Sequence, residues 1–351
     1  MVPIMDMVAV PSTIDPMKGY IGWIVTDGRD ASLAASASIA AALGLNVEHK
    51  RIAPRAPWSM LPSWSGLKPP SQSANGTLSP PWPDIAIAVG GRTAPYLQAL
   101  RRVSEGATFT VLLQPPRLRY DVDLIWSPAQ SRPPAPNVIS TLTTPHAMRP
   151  RALRALKKAP VPEIDSLSRP LAILLLGGPT RAYRFDPIDL RRLGRCLRNL
   201  ADSGVSFLII PSQRTTGSLF RAVNDATRGA RRILWTQRGS GSYWTGLAKA
   251  DLIVVTADSA SMTSEACATG APVYVFEPEG DSEELKRFHA GMRAYGATRA
   301  LTPLTDPAET WSYRPLDSAP LIAAEIVRRF HAARQPNARM GIPCTALWRS
   351  A

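Results

Sequence analysis

Asp251–Pro278 reads D-L-I-V-V-T-A-D-S-A-S-M-T-S-E-A-C-A-T-G-A-P-V-Y-V-F-E-P. Leu252–Val255 is a β-branched apolar run, suited to a strand buried on both faces of a parallel sheet. Thr256, Asp258, Ser259 and Ser261 follow as small polar residues able to cap a helix that carries Met262 and Glu265 in its first turns. Gly270 is placed to stop that helix, and Val273–Phe276 supplies the next strand. A strand, a hydroxyl-rich turn and a helix start leave free N–H groups and a positive dipole end at the carboxyl edge of a sheet, where phosphates bind. Spacing alone serves equally well for an ordinary β-α-β unit with an N-cap serine.

Working outward, the same grammar occurs on both sides. In the first half, Tyr20–Thr26 reads as a strand ending in Asp27-Gly28-Arg29, followed by a helix from Asp30 to Leu43 and a second strand, Leu45–Arg51. Asp84–Val89 runs into Gly90-Gly91-Arg92, and Thr108–Leu113 into Gln114-Pro115-Pro116-Arg117. In the second half Leu171–Leu176 leads to Gly177-Gly178-Pro179-Thr180, and Val205–Ile210 leads to Pro211-Ser212-Gln213-Arg214-Thr215-Thr216. These patterns predict an α/β chain of two Rossmann-like β/α/β domains facing a cleft.

The expected divisions are a tail at 1–19, a first domain at 20–159, a linker at 160–170, a second domain at 171–317, and a last helix and tail at 318–351. Residues 54–83, rich in proline and serine and bearing Trp58, Trp64 and Trp82, read as an irregular lid or docking loop. Met148–Lys158 reads as a basic helical stretch lying between the domains.

At 351 residues the chain suits two domains, and its 45% hydrophobic content supports sizeable cores. Lys and Arg number 41 against 27 Asp and Glu, so a net charge of +14 favours anionic partners, among them nucleotides, phosphosugars and an acidic membrane face. The cations are scattered rather than gathered with aromatics into a groove, which argues against nucleic acid. Cys196, Cys267 and Cys344 lie far apart, as do the four histidines, so neither a disulfide frame nor a metal cluster is expected. Met1–Lys18 is broken by prolines and does not read as a secretory signal, and no apolar run reaches the length of a membrane span. The expected location is cytoplasmic, peripheral to the inner membrane.

Three strand ends, after Leu176, Ile210 and Val255, carry phosphate-compatible chemistry. Gly177 and Gly178 would allow close backbone approach to a ligand, or simply form a tight turn. Arg214 could pair a phosphate beside the hydroxyls of Ser212 and Thr215, or be a solvated loop arginine. In the first half Asp27 and His146 each follow a predicted strand end and could accept a proton from an acceptor hydroxyl. Each taken by itself reads first as structural, a turn aspartate and a satisfied loop histidine. Neither G-x-G-x-x-G nor G-x-x-x-x-G-K-[ST] is present, which excludes a nicotinamide dehydrogenase of that type and a P-loop NTPase.

Together, G-G-P-T at 177–180, P-S-Q-R-T-T at 211–216 and the pattern over Asp258–Gly270 resemble the mitochondrial-fission "elongated mitochondria" family in its bacterial branch, whose members are regarded as GT-B-type glycosyltransferases. More distantly the pattern is similar to the donor helix of UDP-sugar transferases and UDP-sugar 2-epimerases. The resemblance implies a nucleotide sugar, a UDP-sugar, as substrate without a separate cofactor. Ser259, Ser261 and the helix start would meet its diphosphate, and Glu265 its ribose. Gly178, Ser212, Arg214 and Thr215 would line the same pocket. A glycan or lipid-linked acceptor and a role in cell-envelope or lipopolysaccharide assembly follow as expectations. The first half departs from the family at Asp30-Ala31-Ser32-Leu33-Ala34 and at Ala129-Gln130, where a His-Asp pair is usual. A non-catalytic adaptor that keeps the fold is therefore the second expectation. A 2-epimerase is a third, for which no second carboxylate is evidently placed.

Overall fold

The computed structural model describes residues 17–28, 30–52, 78–115, 120–128, 135–235 and 243–334. The tails at 1–16 and 335–351, Arg117, Ala129-Gln130 and all of the 54–83 excursion except 78–83 lie outside the described residues. The described chain divides into two compact units. Unit 1 takes the residues up to Ser127, the run ending at Thr141, and the chain from Ala319; unit 2 contains Leu142–Ser318.

Unit 1 is built from β1 (Ile21–Thr26), α1 (Asp30–Leu43), β2 (Asn46–Arg51), β3 (Ile85–Val89), α2 (Ala94–Val103), β4 (Phe109–Leu113), β5 (Leu124–Pro128) and β6 (Val138–Thr141). Its sheet has the order β2-β1-β3-β4-β5-β6. Alternation along the strands separates two cores. Ile24, Ile85, Ile87 and Val111 pack with Ile39 and Leu43 of α1, whereas Trp23, Val25, Ala86 and Ala88 pack with Leu97 and Leu100 of α2. Trp82, part of the excursion, meets Trp23 edge-on at 6.2 Å.

Unit 2 opens with α3 (Pro150–Lys158) and α4 (Pro162–Asp165). It continues through β7 (Leu171–Leu176), α5 (Pro187–Asp202), β8 (Ser206–Pro211), α6 (Gly217–Ala226), β9 (Arg232–Leu234) and α7 (Tyr243–Ala248). Then come β10 (Leu252–Thr256), α8 (Ala260–Cys267), β11 (Val273–Phe276), α9 (Glu283–Ala294) and β12 (Thr298–Ala300). Its sheet has the order β12-β11-β10-β7-β8-β9, and each neighbouring pair is parallel. Leu171, Ile173 and Leu175 face one core with Phe288 and Met292; Ala172, Leu174 and Leu176 face the other with Leu193 and Leu197 of α5. Strands so apolar on both faces require helices on both, and α5 and α6 cover the second face.

The helix α10 (Ser318–Arg334) ends the described chain. Three expectations about the divisions are corrected. The 160–170 segment is no linker: Val161, Ile164 and Leu167 bury into the unit 2 core, and α4 forms within it. The basic stretch before it is α3 and belongs to unit 2. The last helix returns to unit 1, where Ile322, Ile326 and Phe330, at helical spacing, join the core beside α1. The short strand β12 and helix α4 also lacked a sequence expectation; at 3 and 4 residues they carry no periodicity to read.

Candidate functional site

In the unit 2 sheet β10, β7 and β8 are neighbours. Val255 lies beside Leu175, and Leu176 beside Pro211, so the three strands end within about one residue of each other. The three turns named in the sequence therefore share one edge of one sheet. Hydrogen bonds then lock them together. Thr256 Oγ1 accepts the Gly177 N–H at 2.8 Å. Thr215 Oγ1 lies 2.9 Å from the Leu176 carbonyl oxygen and 2.8 Å from that of Gly177, while accepting the Ser212 N–H at 2.9 Å. Ser212 Oγ accepts the Arg214 N–H at 3.2 Å.

Asp258 is the centre of this cluster. Its side chain is fully buried. Oδ2 accepts Arg214 Nη2 at 2.7 Å and the Gly178 N–H at 3.1 Å, whereas Oδ1 is buried with no hydrogen-bond partner among the described residues. Asp258 thus crosses from β10 to the turns after β7 and β8 and does not cap α8, as its position before the helix had suggested. The cap is Ser259, whose hydroxyl accepts the Met262 N–H at 3.4 Å.

This geometry gives both glycines a reason. A Cβ on Gly177 would meet the Asp258 carboxylate oxygens at 2.1 and 2.2 Å, and one on Gly178 would meet the Arg214 carbonyl oxygen at 1.9 Å. Neither space admits a side chain. The double glycine is a close-approach device whose cause lies far along the chain.

The N-terminal turn of α8 follows directly. Ser259 and Ser261 place their hydroxyl oxygens 3.1 Å apart on the accessible side of the helix start, and Met262 packs partly into the core beneath. The first turn of any α-helix leaves N–H groups without intrahelical partners, and its dipole end is positive. The Arg214 charge offsets that of Asp258, so the carboxylate does not cancel this field. Arg214 keeps 43% of its side chain exposed. Hydroxyls, helix N–H groups and an anchored guanidinium together suit an anion of diphosphate type.

Glu265 lies about one turn further along α8. Burial pushes its carboxyl up to about 6, opposed by the hydrogen bond that Tyr243 OH donates to Oε2 at 2.8 Å. Burial and the carboxylate in turn raise the Tyr243 hydroxyl well above the ordinary phenol range. Trp244 meets the Tyr243 ring at 5.6 Å between centroids, and His146 meets Trp244 at 5.6 Å. Tyr243 and Trp244 were not singled out in the sequence. A Tyr-Trp pair opening a short helix gives no periodic signal, and its pairing with Glu265 is tertiary.

The two first-half candidates belong to different units. Asp27 lies in unit 1 at the end of β1, where Gly28, at φ +88°, turns back so that its N–H reaches Thr26 Oγ1. His146 belongs to unit 2. It is buried, with Nε2 3.1 Å from the Leu316 carbonyl oxygen and Nδ1 without a hydrogen-bond partner among the described residues. The neighbouring Thr144 donates its N–H to Ser264 of α8 at 3.1 Å. The Thr144-Pro145-His146 segment therefore packs against the α8 side of unit 2 and is no part of the first unit, contrary to the expected division. Among the described residues no group of His, Cys, Asp and Glu could hold a metal ion, and no helix is long and apolar enough to cross a membrane.

Comparison with known proteins agrees with this architecture. The chain is 29% identical over 277 residues to "Mitochondrial fission protein ELM1" of Arabidopsis thaliana, covering 72% of this chain and 65% of that protein. It is 29% identical over 161 residues to an uncharacterized protein, RP120, of Rickettsia prowazekii, covering 44% of this chain and 45% of that one. The matches thus span between about half and two thirds of these relatives' own lengths. The solved UDP-GlcNAc 2-epimerase from Methanocaldococcus jannaschii shares the fold at 12% identity, with a TM-score of 0.50 over 88% of this chain and 98% of that one. Two parallel-sheet Rossmann-like units in one polypeptide make this a GT-B-like α/β fold. The family model described as "Mitochondrial fission ELM1" matches residues 33–330, and the chain belongs to that family.

Proposed function

We propose that the C-terminal edge of the unit 2 sheet binds the diphosphate of a nucleotide sugar, and that the chain is a metal-independent GT-B-type glycosyltransferase. The observation that carries this reading is the Asp258 cluster, which ties three strand ends to the start of α8 and fixes Arg214 there. As the glycosidic bond to the diphosphate breaks, negative charge grows on the leaving oxygens. Helix N–H groups, the Ser259 and Ser261 hydroxyls and Arg214 are fixed donors for that charge. Glu265 is placed further along the same helix to accept bonds from ribose hydroxyls. The UDP-sugar in the name of the archaeal protein of like fold supports a UDP donor. A lipid-linked or glycan acceptor in cell-envelope or lipopolysaccharide assembly, and a cytoplasmic site peripheral to the inner membrane, complete the reading.

Differential scanning fluorimetry against UDP-, GDP-, ADP- and CMP-sugars tests it. A ligand at 100 times its Kd adds about 2.7 kcal/mol of stability, which raises the midpoint by roughly 5–10 °C for a cooperative unit of about 150–250 residues, the size of unit 2, and by about 4 °C if the whole chain unfolds at once. Failure of every donor class to shift the midpoint overturns the proposal.

A second reading, the non-catalytic adaptor, is favoured by His146. With its ring buried against a backbone carbonyl, this histidine is not poised as a base for an acceptor. On that reading nucleotide binding persists without sugar transfer, and residues 54–83 dock a partner. Deleting 54–83 would then abolish partner recovery and leave the nucleotide response intact.

A further inference from the structure

Between Asp123 and Glu163 the sequence contains no acidic residue. Within that run lies α3, Pro-Arg-Ala-Leu-Arg-Ala-Leu-Lys-Lys. Arg151, Arg154, Lys157 and Lys158 are all exposed on it. Arg149, just before the helix, is held by Asp317 at 3.0 Å. The other four form no ion pair or hydrogen bond among the described residues. At 100° per residue their positions fall within an arc of about 120°, on a helix about 14 Å long. Leu153 and Leu156 lie on the other side of α3, packed with Ala248, Ala268 and Trp244. The helix is therefore fixed on unit 2 by its apolar side, presenting an uncompensated cationic stripe.

Lys157 and Lys158 suit the negative end of the α3 dipole, whereas Arg151 and Arg154 stand nearer its positive end, and the four cations repel one another along the stripe. Their placement is explained by an external polyanion. Ala152 and Ala155, also exposed, flank the stripe on one side and are too short to shield it, so its long side chains can reach one plane. It offers no exposed aromatic on which a base could stack, and no concave groove is formed by a single helix. We infer that α3 is the docking face of unit 2 for a bilayer containing anionic phospholipids. Binding is electrostatic and superficial, because no large apolar residue is exposed on the stripe to insert. The second row of cations, Arg191, Arg195 and Arg198 on α5, packs over the opposite face of the sheet, with an exposed acid, Asp202, on the same helix. It cannot share the same membrane plane through the sheet.

Cosedimentation of the full chain with vesicles tests the assignment. The chain should bind vesicles of phosphatidylcholine with about 30 mol% phosphatidylglycerol, fail to bind phosphatidylcholine alone, and be released at 0.5 M salt, where the screening length is only a few ångströms. At about fivefold per cation, R151A/R154A/K157A/K158A should lower partitioning by roughly 10²–10³-fold. R151K/R154K should retain it. R191A/R195A/R198A should change it by less than about fivefold. The thermal midpoint and sugar-nucleotide response of all three variants should match the unmodified chain, which separates this inference from the donor-site proposal. Salt-insensitive binding, equal loss in the α5 variant, or absence of binding overturns it. So does loss of binding to a short RNA duplex in the α3 variant while vesicle binding persists.

Discussion

Arg214 and Asp258 are 44 positions apart in the chain, yet Nη2 and Oδ2 meet at 2.7 Å with the carboxylate fully buried and the guanidinium half open to solvent. The pair sets the distance between the turn after β8 and the start of α8. Asp258→Asn keeps the shape and removes the charge. A buried pair broken on one side loses about 3–5 kcal/mol, and the exposure of Arg214 reduces this to about 1–3 kcal/mol. Chemical denaturation should show that loss, and any sugar-nucleotide affinity should fall at the same time because Arg214 is no longer anchored. An unchanged midpoint with unchanged affinity would separate the pair from the site.

Gly178→Ala places a methyl group 1.9 Å from the Arg214 carbonyl oxygen, a backbone atom that can yield only if the turn moves. Overpacking of this kind costs about 1–3 kcal/mol or more. Gly217→Ala, with nothing within 4 Å of the added Cβ, is the matched comparison and should be neutral within about 0.5 kcal/mol. Denaturation midpoints of the two variants decide the matter.

The buried carboxyl of Glu265, raised to about 6, links stability to pH. The folded chain holds this proton more tightly than the unfolded one, whose glutamate titrates near 4.3. The stabilisation is therefore fully present below about pH 4.3 and is lost as pH rises through 6. Glu265→Gln abolishes this dependence and can keep the Tyr243 hydrogen bond. Relative to the unmodified chain, the variant should gain up to about 2 kcal/mol between pH 4 and pH 7. Thermal unfolding across that range checks it; a constant difference would contradict it. The same variant should bind nucleotide more weakly at pH 7.

Much of this arrangement is written locally. Leu171–Leu176 and Leu252–Val255 announce strands buried on both faces, and the polar run 256–261 announces a helix start. The pattern alone places the three strand ends on one edge, because parallel β/α units put their C-terminal turns together. What local reading could not reach are pairings over long separations. Asp258 looks like a cap because caps and turn braces use the same residue types; only contact with Gly178 and Arg214 distinguishes them. His146 follows a first-half strand in sequence but crosses into unit 2, and α10 crosses back. Prolines at 160, 162 and 170 gave the appearance of a linker, while Val161, Ile164 and Leu167 at helical spacing recorded the opposite.

The most direct measurement is a crystal structure of the chain with a UDP-sugar. The diphosphate should lie within hydrogen-bond distance of Ser259, Ser261 and the first N–H groups of α8, with Arg214 still held by Asp258 and the ribose hydroxyls at Glu265. A nucleotide bound elsewhere, with that helix start left to solvent, would contradict the account.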